Sequence, residues 1–371
     1  MELHHDPRIV LTLDAGGTHL VFSAIQGGRD ILEPVTKPTD GHDLAACLGN
    51  ILAGFRGMLP RLGRAPVAIS FAFPGPADYP NGIIGDLYNL PGFRGGVPLG
   101  PLLEDEFGIP VYINNDGDLF AYGEAIAGLL PTVNRALEAA GNPKRFHNLF
   151  GVTLGTGFGG GLVHDGRLFL GDNCAGAEIW CMRNKLDPTT TAEEGVSIRA
   201  VKRTYAEGAG LPIESVPEPK GIYAIACGEL EGDQAAAVEA FRRLGEVAGD
   251  TLAHISAVVD GLVVVGGGLA GAAGLILPAL VEEMRGTLRS RAKGVHPRLE
   301  VRAFNLEDAK ERAEFLAGAP MRLSVPGSGR EVEYDPMKRI GVGLSTLGTS
   351  RAISTGAYAF ALAALDRSGH G

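Results

Sequence analysis

Two stretches of this chain, LTLDAGGTHLVFSAI from Leu11 and GVTLGTGFGGGLVHDG from Gly151, follow one plan. Each is an apolar run, a tight turn of glycine and threonine, and a second apolar run. A chain that writes this hairpin twice is expected to fold into two domains with a common core, with a ligand in the cleft between them. The length, 371 residues, also suggests two domains.

Between and after the repeats, strand and helix patterns alternate. RIVLTLDA, LVFSAIQG, DILEPVTKP, PVAISFAFPG and IPVYINN read as strands. HDLAACLGNILAGFRGML and DLFAYGEAIAGLL carry helical spacing. FHNLFGVTLGTGFGGGLVHDGRLFLG reads as strand, glycine turn, strand and an Asp-Gly hairpin. Helices are expected around 192–207 and 232–258, then a buried strand in GLVVVGGG and an apolar helix. LEVRAFN looks like a late strand, MRLSVPGSGREVEYDPM a polar hairpin insert, and TSRAISTGAYAFALAAL a closing helix.

Glycine turns expose successive backbone N–H groups, and such turns cradle phosphate oxygens. DAGGTH offers Asp14, Gly16, Gly17 and Thr18; GTGFGGG offers Thr156 and Gly157; a third turn, GGG, includes Gly267 and Gly268. Asp14 would repel phosphate directly, so its place there makes sense with Mg²⁺ or its bound water between them. Gly155, Gly157 and Gly160 also fit the dinucleotide fingerprint, but a strand follows where that motif needs a helix. A Walker A motif is excluded, because Gly-Lys never occurs.

INNDGDLFAYGE crowds Asn114, Asn115, Asp116 and Asp118 where a strand gives way to a helix. Phosphoryl transfer to a hydroxyl needs positioning, charge neutralisation and a carboxylate that takes a proton. Asp116 stands at the junction and is assigned as the base; Asp118, inside the helix start, is structural and favoured by the helix N-terminus. The competing reading of Asp116 is a helix N-cap. Glu178, an acid among apolar neighbours after an Ala-Gly-Ala turn, is exposed by a bend or buried with a partner. The pair Glu193 and Glu194 also reads as a solvated first helical turn, and Asn89 in LYNLPGF is a weaker polar candidate.

Taken in order, these motifs resemble the ROK family of sugar kinases, in the superfamily that also holds hexokinase, actin and the heat-shock ATPases. LDAGGTH is similar to its first phosphate motif, FPGPAD…NLPGF to its Pro-Gly-Pro segment, NNDGDLFAYGE to the segment with the catalytic acid, TLGTGFGGG to its second phosphate motif, AGAEIWCM to its sugar-contact loop and VVVGGGL to its adenosine motif. The resemblance implies an α/β, two-domain ribonuclease H-like (actin/hexokinase-type) ATPase fold with a cleft between the domains. Residues 1–117 plus 352–371 would form the smaller domain and 118–351 the larger, with residues 296–349 as an elaboration. It also implies Asp116 as the family's catalytic Asp, and Asn115, Asp116, Glu178 and Glu193 around the sugar, with Glu194 as the alternative register. Two departures stand out: Cys181 occupies the family's usual His position, and RNKLDPTTTAEEGVS lacks the family's zinc-binding cysteines. Zinc is not expected, and Trp180 replaces a usual glycine.

The expected function is therefore ATP-dependent phosphorylation of a hexose, glucose first and at its primary hydroxyl, with fructose, mannose and N-acetylated hexosamines open and polyphosphate an alternative donor. A sugar-responsive regulator without kinase activity is the rival; only 13 residues precede Asp14, which argues against an added DNA-binding domain. A net charge of −10 without a Lys/Arg stripe argues against nucleic acid. The N-terminus MELHHDPRIVLTLD shows no signal peptide, no apolar run reaches membrane-spanning length, and four cysteines without CxxC spacing read as reduced thiols in a cytoplasmic protein. A homodimer is compatible with the sequence.

Overall fold

The computed structural model describes residues 3–16, 18–87, 90–292 and 294–369. They divide into two compact units: Met1–Ala127 with Arg167–Gly176 and Leu347–Gly371, and Gly128–Gly166 with Ala177–Thr346. The main strands are β1 (Ile9–Ala15), β2 (His19–Gln26), β3 (Ala68–Ala72), β4 (Val111–Asn114), β5 (Asn148–Leu154), β6 (Phe158–His164), β7 (Leu262–Gly266), β8 (Arg302–Asn305) and β9 (Arg339–Leu344). The helices are α1 (Leu44–Met58), α2 (Leu99–Phe107), α3 (Asp116–Ile126), α4 (Leu129–Ala139), α5 (Ile198–Ala209), α6 (Pro219–Ala226), α7 (Gln234–Val259), α8 (Ala273–Met284), α9 (Ala309–Ala317) and α10 (Thr349–Ser368).

The first unit is built on the order β2-β1-β3-β4, with β1 and β2 antiparallel and β1, β3 and β4 parallel. Its core lies under α1, where Phe22 meets Phe55 edge-to-face at 5.0 Å and Phe71 and Leu11 are fully buried. The second unit repeats the plan as β6-β5-β7-β9-β8, with β5 and β6 antiparallel and β5, β7, β9 and β8 parallel. The repeat read from the two glycine-turn hairpins is therefore a repeat of sheet topology. Central strands of parallel sheets are covered on both faces and read as unbroken apolar runs; LVVVG of β7 is buried throughout. Asp165 and Gly166 after β6 both take left-handed backbone, φ 47° and 72°, as their Asp-Gly sequence predicts.

Two expectations need correction. The limit placed at 117 falls inside α3; the structure keeps α3 whole in the first unit and adds Arg167–Gly176 to it. Residues 296–349 are also more than an elaboration, because β8 and β9 belong to the second unit's central sheet. Met321–Ser324 and Glu331–Tyr334 form a separate exposed hairpin, and Gly294–Pro297 pairs with Thr287–Ser290 in another. At the entry to β9, Arg339 is 1% exposed and pairs with Asp335 at 2.7 Å, while its Nε donates to the Phe315 carbonyl. Burial opposes ionisation of Asp335, but Arg339, Asn142 and two backbone amides outweigh it and bring its pKa down to about 2. Stability from this pair is present above the ordinary carboxylate value and is lost as pH falls through about 2.

α3 is buried on nearly every side from Gly117 to Ala125. It crosses α10 with backbone on backbone: a Cβ at Gly123 would lie 2.0 Å from the Ala352 carbonyl oxygen, and one at Gly356 would lie 2.0 Å from that of Leu119. Glycine inside a helix costs about 1 kcal/mol against alanine, so this crossing is what those glycines serve. Gly356→Ala should gain propensity yet lose the close approach, for a net cost of about 1–3 kcal/mol. A midpoint in thermal unfolding equal to or above that of the native chain would contradict this packing.

Candidate active site

In the first unit, the turn after β1 is closed by its own backbone. Gly16 donates to the His19 carbonyl at 3.0 Å, where a Cβ would stand equally close. Thr39, buried, pins the turn from outside: its hydroxyl donates to the Gly16 carbonyl at 2.6 Å and its N–H to the Thr18 carbonyl at 3.1 Å. Thr18 is exposed, and Gly17 lies outside the described residues, as does Asn89. Strand register aligns Asp14 with Ala72 and Ala72 with Asn114, so Asp14 and the Asn115–Asp116 junction share the carboxyl end of the parallel strands. That edge is where open α/β sheets bind ligands.

Asn115 is the N-cap of α3, its side chain accepting from the Gly117 N–H at 2.7 Å. The capping reading of Asp116 thus passes to its neighbour. Asp116 is the first helical residue and shares the same donor at 2.9 Å. Solvent reaches Asp116, yet protein crowds around it. Burial raises its pKa; the Gly117 N–H lowers it, and the charge of Asp14 raises it further. Asp118 is buried inside the helix start, as its structural assignment requires. No cationic side chain pairs with Asp14 or Asp116 among the described residues. Two neighbouring carboxylates without a cation suit a magnesium ion that arrives with nucleotide phosphates, since Mg²⁺ binds through one or two carboxylates plus phosphate oxygens.

In the second unit, the turn of Gly155, Thr156 and Gly157 closes through Gly155 N–H to the Gly157 carbonyl at 3.1 Å. The Gly155 carbonyl accepts from Ile198, the first residue of α5, at 2.8 Å. Thr156 is exposed. Gly267, at φ 90°, brings the turn after β7 against the end of β5; a Cβ there would be 2.3 Å from the Leu154 carbonyl oxygen. Gly268 faces open space. The two turns thus stand together at the carboxyl ends of β5 and β7.

Glu193 and Glu194 diverge. Glu193 accepts the Phe158 N–H at 3.2 Å and would meet a Cβ on Gly157 at 2.8 Å, so its carboxylate buttresses the glycine turn. Arg199 bridges the two carboxylates, at 3.2 Å from Glu193 and 3.3 Å from Glu194, and Glu194 alone also meets Arg203, at 3.0 Å. The pair forms a short 3₁₀ turn before α5, where a first turn of the helix itself was expected. Ala192 donates to the Met182 carbonyl at 2.6 Å and joins this turn to the Ile179–Cys181 turn that follows Glu178. A Cβ at Gly160 would be 2.5 Å from the Ala177 carbonyl oxygen, so the glycine run in β6 also seats the segment carrying Glu178.

The segment where cysteines are missing is tied by polar groups instead. Asn184, buried, accepts from the Leu186 N–H at 2.9 Å and donates to the Thr190 hydroxyl at 3.3 Å. Asp187 accepts from the Thr189 hydroxyl at 2.6 Å, and Lys185 pairs with Glu246 and Glu283. Sequence reading passed over these residues, although Asn, Asp and Thr clustered around Pro188 are turn formers. Among the described residues no three His, Cys, Asp or Glu side chains are grouped to hold a metal ion, and no helix is long and apolar enough to cross a membrane.

A profile of the ROK family matches residues 10–310. The chain belongs to the ROK family. An N-acetyl-D-glucosamine kinase of Vibrio cholerae is 32% identical over 269 residues, spanning 69% of this chain and 83% of the relative. The crystal structure of a glucokinase from Parabacteroides distasonis superposes with a TM-score of 0.90 at 54% identity, covering 98% of this chain and 99% of that one. A ROK family glucokinase from Streptomyces griseus, solved with glucose and AMPPNP, shares the fold at a TM-score of 0.57 and 20% identity, covering 94% and 97%. The fold is the actin-like ATPase fold, and this ROK protein is a sugar kinase.

The raised pKa of Asp116 bears on stability. The folded chain holds this proton more tightly than the unfolded one, so the ionised group weakens the fold as pH rises above the ordinary carboxylate value near 3.9. Asp116→Asn removes that cost and keeps an acceptor for Gly117. The variant should melt above the native protein at pH 7, with the difference closing towards pH 3. A lower midpoint at pH 7 would refute the desolvation argument.

Proposed function

We propose that this ROK kinase transfers the terminal phosphoryl group of ATP to a hexose hydroxyl, glucose being the first substrate and its primary hydroxyl the acceptor. Asp116 takes the proton from the attacking oxygen as that oxygen bonds to phosphorus and ADP departs. The observation that carries the reading is the Asp116 carboxylate itself: anchored in the first turn of α3, open to solvent, and raised in pKa by burial and by Asp14. A raised pKa makes a better proton acceptor once the group is ionised.

Asp14, Gly16, Gly17 and Thr18 in one unit, and Thr156, Gly157, Gly267 and Gly268 in the other, would hold the nucleotide through backbone N–H groups and hydroxyls. A magnesium ion bound with the nucleotide would neutralise charge on the phosphates, and Asp14 fits it, through water. Asn115 has its side-chain oxygen engaged by Gly117, which leaves the amide NH₂ for a sugar hydroxyl. Glu178 and Glu193 complete the sugar contacts, Glu193 being favoured over Glu194 because, of the two carboxylates that share Arg199, it is the one that reaches the glycine turn, while Glu194 is drawn on to Arg203. N-acetylglucosamine is the second reading, supported by the 32% identical Vibrio cholerae kinase, as glucose is by the 54% identical Parabacteroides structure.

A panel of glucose, N-acetylglucosamine, mannose and fructose with MgATP, followed as sugar-dependent ADP release, separates the substrates; equal ADP release without sugar would overturn the reading. Asp116→Asn should lower kcat by about 10²–10⁴-fold while leaving the hexose KM within a few-fold. Turnover near the native rate would remove Asp116 from the base role. Because the base must be ionised and its pKa is raised, kcat should fall on acidification at a pH above the ordinary carboxylate range. A rate that stays flat down to pH 4 would contradict this.

A further inference from the structure

The segment around Glu178 is fixed to an unusual degree for an exposed turn. Ala177 takes left-handed backbone at φ 63°, and Ile179 donates back to the Ala177 carbonyl at 2.7 Å. Glu178, at φ −71° and ψ 65°, is therefore the centre of an inverse γ-turn, which turns its side chain outward. Ile179 is buried and anchors the turn, and the Cys181 thiol donates to the Glu178 carbonyl at 2.9 Å. Onto this frame the Trp180 indole N–H donates to Glu178 Oε2 at 2.5 Å. Trp180 is 43% exposed although its indole is among the largest apolar surfaces a residue can carry.

We infer that Trp180 is a specificity-determining residue of the sugar site: its N–H locks one oxygen of Glu178, which leaves the other to accept a sugar hydroxyl, and its ring offers an apolar platform to the C–H face of a hexopyranose. The inference rests on the proposed sugar role of Glu178. Indole can only donate, so it does not compete with a sugar hydroxyl as an acceptor. A carboxylate already held by a donor loses less freedom when the sugar binds, and pre-organisation of this kind strengthens affinity. Neither the Glu178 carboxylate nor the Trp180 indole has any other hydrogen-bond partner among the described residues.

Trp180 is the single tryptophan of the chain, so intrinsic fluorescence reports this position alone. Titrating the native protein with hexose, without nucleotide, should give a saturable emission change at concentrations near the KM. An unchanged spectrum at saturating hexose would overturn the platform. In steady-state kinetics, Trp180→Phe keeps a ring but loses the donor, and should raise the hexose KM by about tenfold or more with kcat within about twofold. Trp180→His, which restores a ring N–H, should recover part of that loss. An unchanged KM in Trp180→Phe would overturn the clamp. Glu178→Gln separates the two levels of the argument. If Glu178→Gln raises KM and Trp180→Phe does not, the inference about Trp180 fails alone; if Glu178→Gln also leaves KM unchanged, the sugar role of Glu178 falls and the inference with it. The fluorescence titration needs no variant and stands even where one misfolds.

Discussion

Backbone packed directly on backbone is the constraint on which the candidate site depends. Gly123 and Gly356 let α3 and α10 touch with no side chains between them, and interiors packed this closely transmit position with little give. The axis of α3 fixes where its first turn begins, and that turn carries Asn115, Asp116 and Asp118. Glu124, fully buried farther along the same helix, accepts the Leu347 N–H at 3.0 Å and ties down the chain just before α10. α10 is itself held to β1 and to the end of β2 by the Tyr358 hydroxyl, which donates to the Arg8 carbonyl and accepts from Gly27. The carboxylate assigned as the base is thus placed by contacts that contain no chemistry of their own.

The second unit solves its equivalent problem with the same device. Gly245 and Gly249 on α7 approach the Ile276 and Leu280 carbonyls of α8, where Cβ atoms would stand at 2.4 and 2.3 Å. Gly267 does this between two strand ends, and Gly160 between β6 and Ala177. An abundance of glycine that reads as phosphate-binding turns is therefore partly a packing code. Gly268, with nothing near an added Cβ, has the open surroundings that suit a ligand; Gly155 has the same space, but both its backbone groups are already engaged, and Gly157 and Gly267 serve both ends.

What could be read from sequence was local. The paired hairpins, the acid at the end of β4 and the closing helix are written in runs of neighbouring residues, and periodicity exposes them. What escaped depends on partners far along the chain. β8 and β9 enter the central sheet through pairing with strands tens of residues away, and the buried Arg339 that seals that corner looks in sequence like any surface arginine. The cap of α3 escaped because Asn115 and Asp116 are both good capping residues, and only backbone geometry decides between them. Glu193 could be told from Glu194 only by direction: the two share Arg199, but one reaches the Phe158 N–H and the other Arg203.

The segment 183–191 shows how a chain can close a loop without cysteines. Backbone groups of a tight loop must find partners or water, and a metal meets that need indirectly by fixing the chain. Here Asn184 and Asp187 do it directly: Asn184 Oδ1 takes the Leu186 N–H, and the Asp187 carbonyl accepts from both the Thr190 N–H and the Thr190 hydroxyl. The Asn184 amide also lies where a Cβ on Gly195 would meet it at 3.1 Å, so the loop folds down onto the residue that follows Glu194. Each such bond contributes only about 0.5–1.5 kcal/mol, far less than a structural zinc site. The loop can rest on so little because both its ends are already seated, one by buried Ile179 and the Ala192-to-Met182 bond, the other by the cap of α5 at Ser197. Lys185, reaching Glu246 and Glu283, then needs only to hold the tip against α7 and α8.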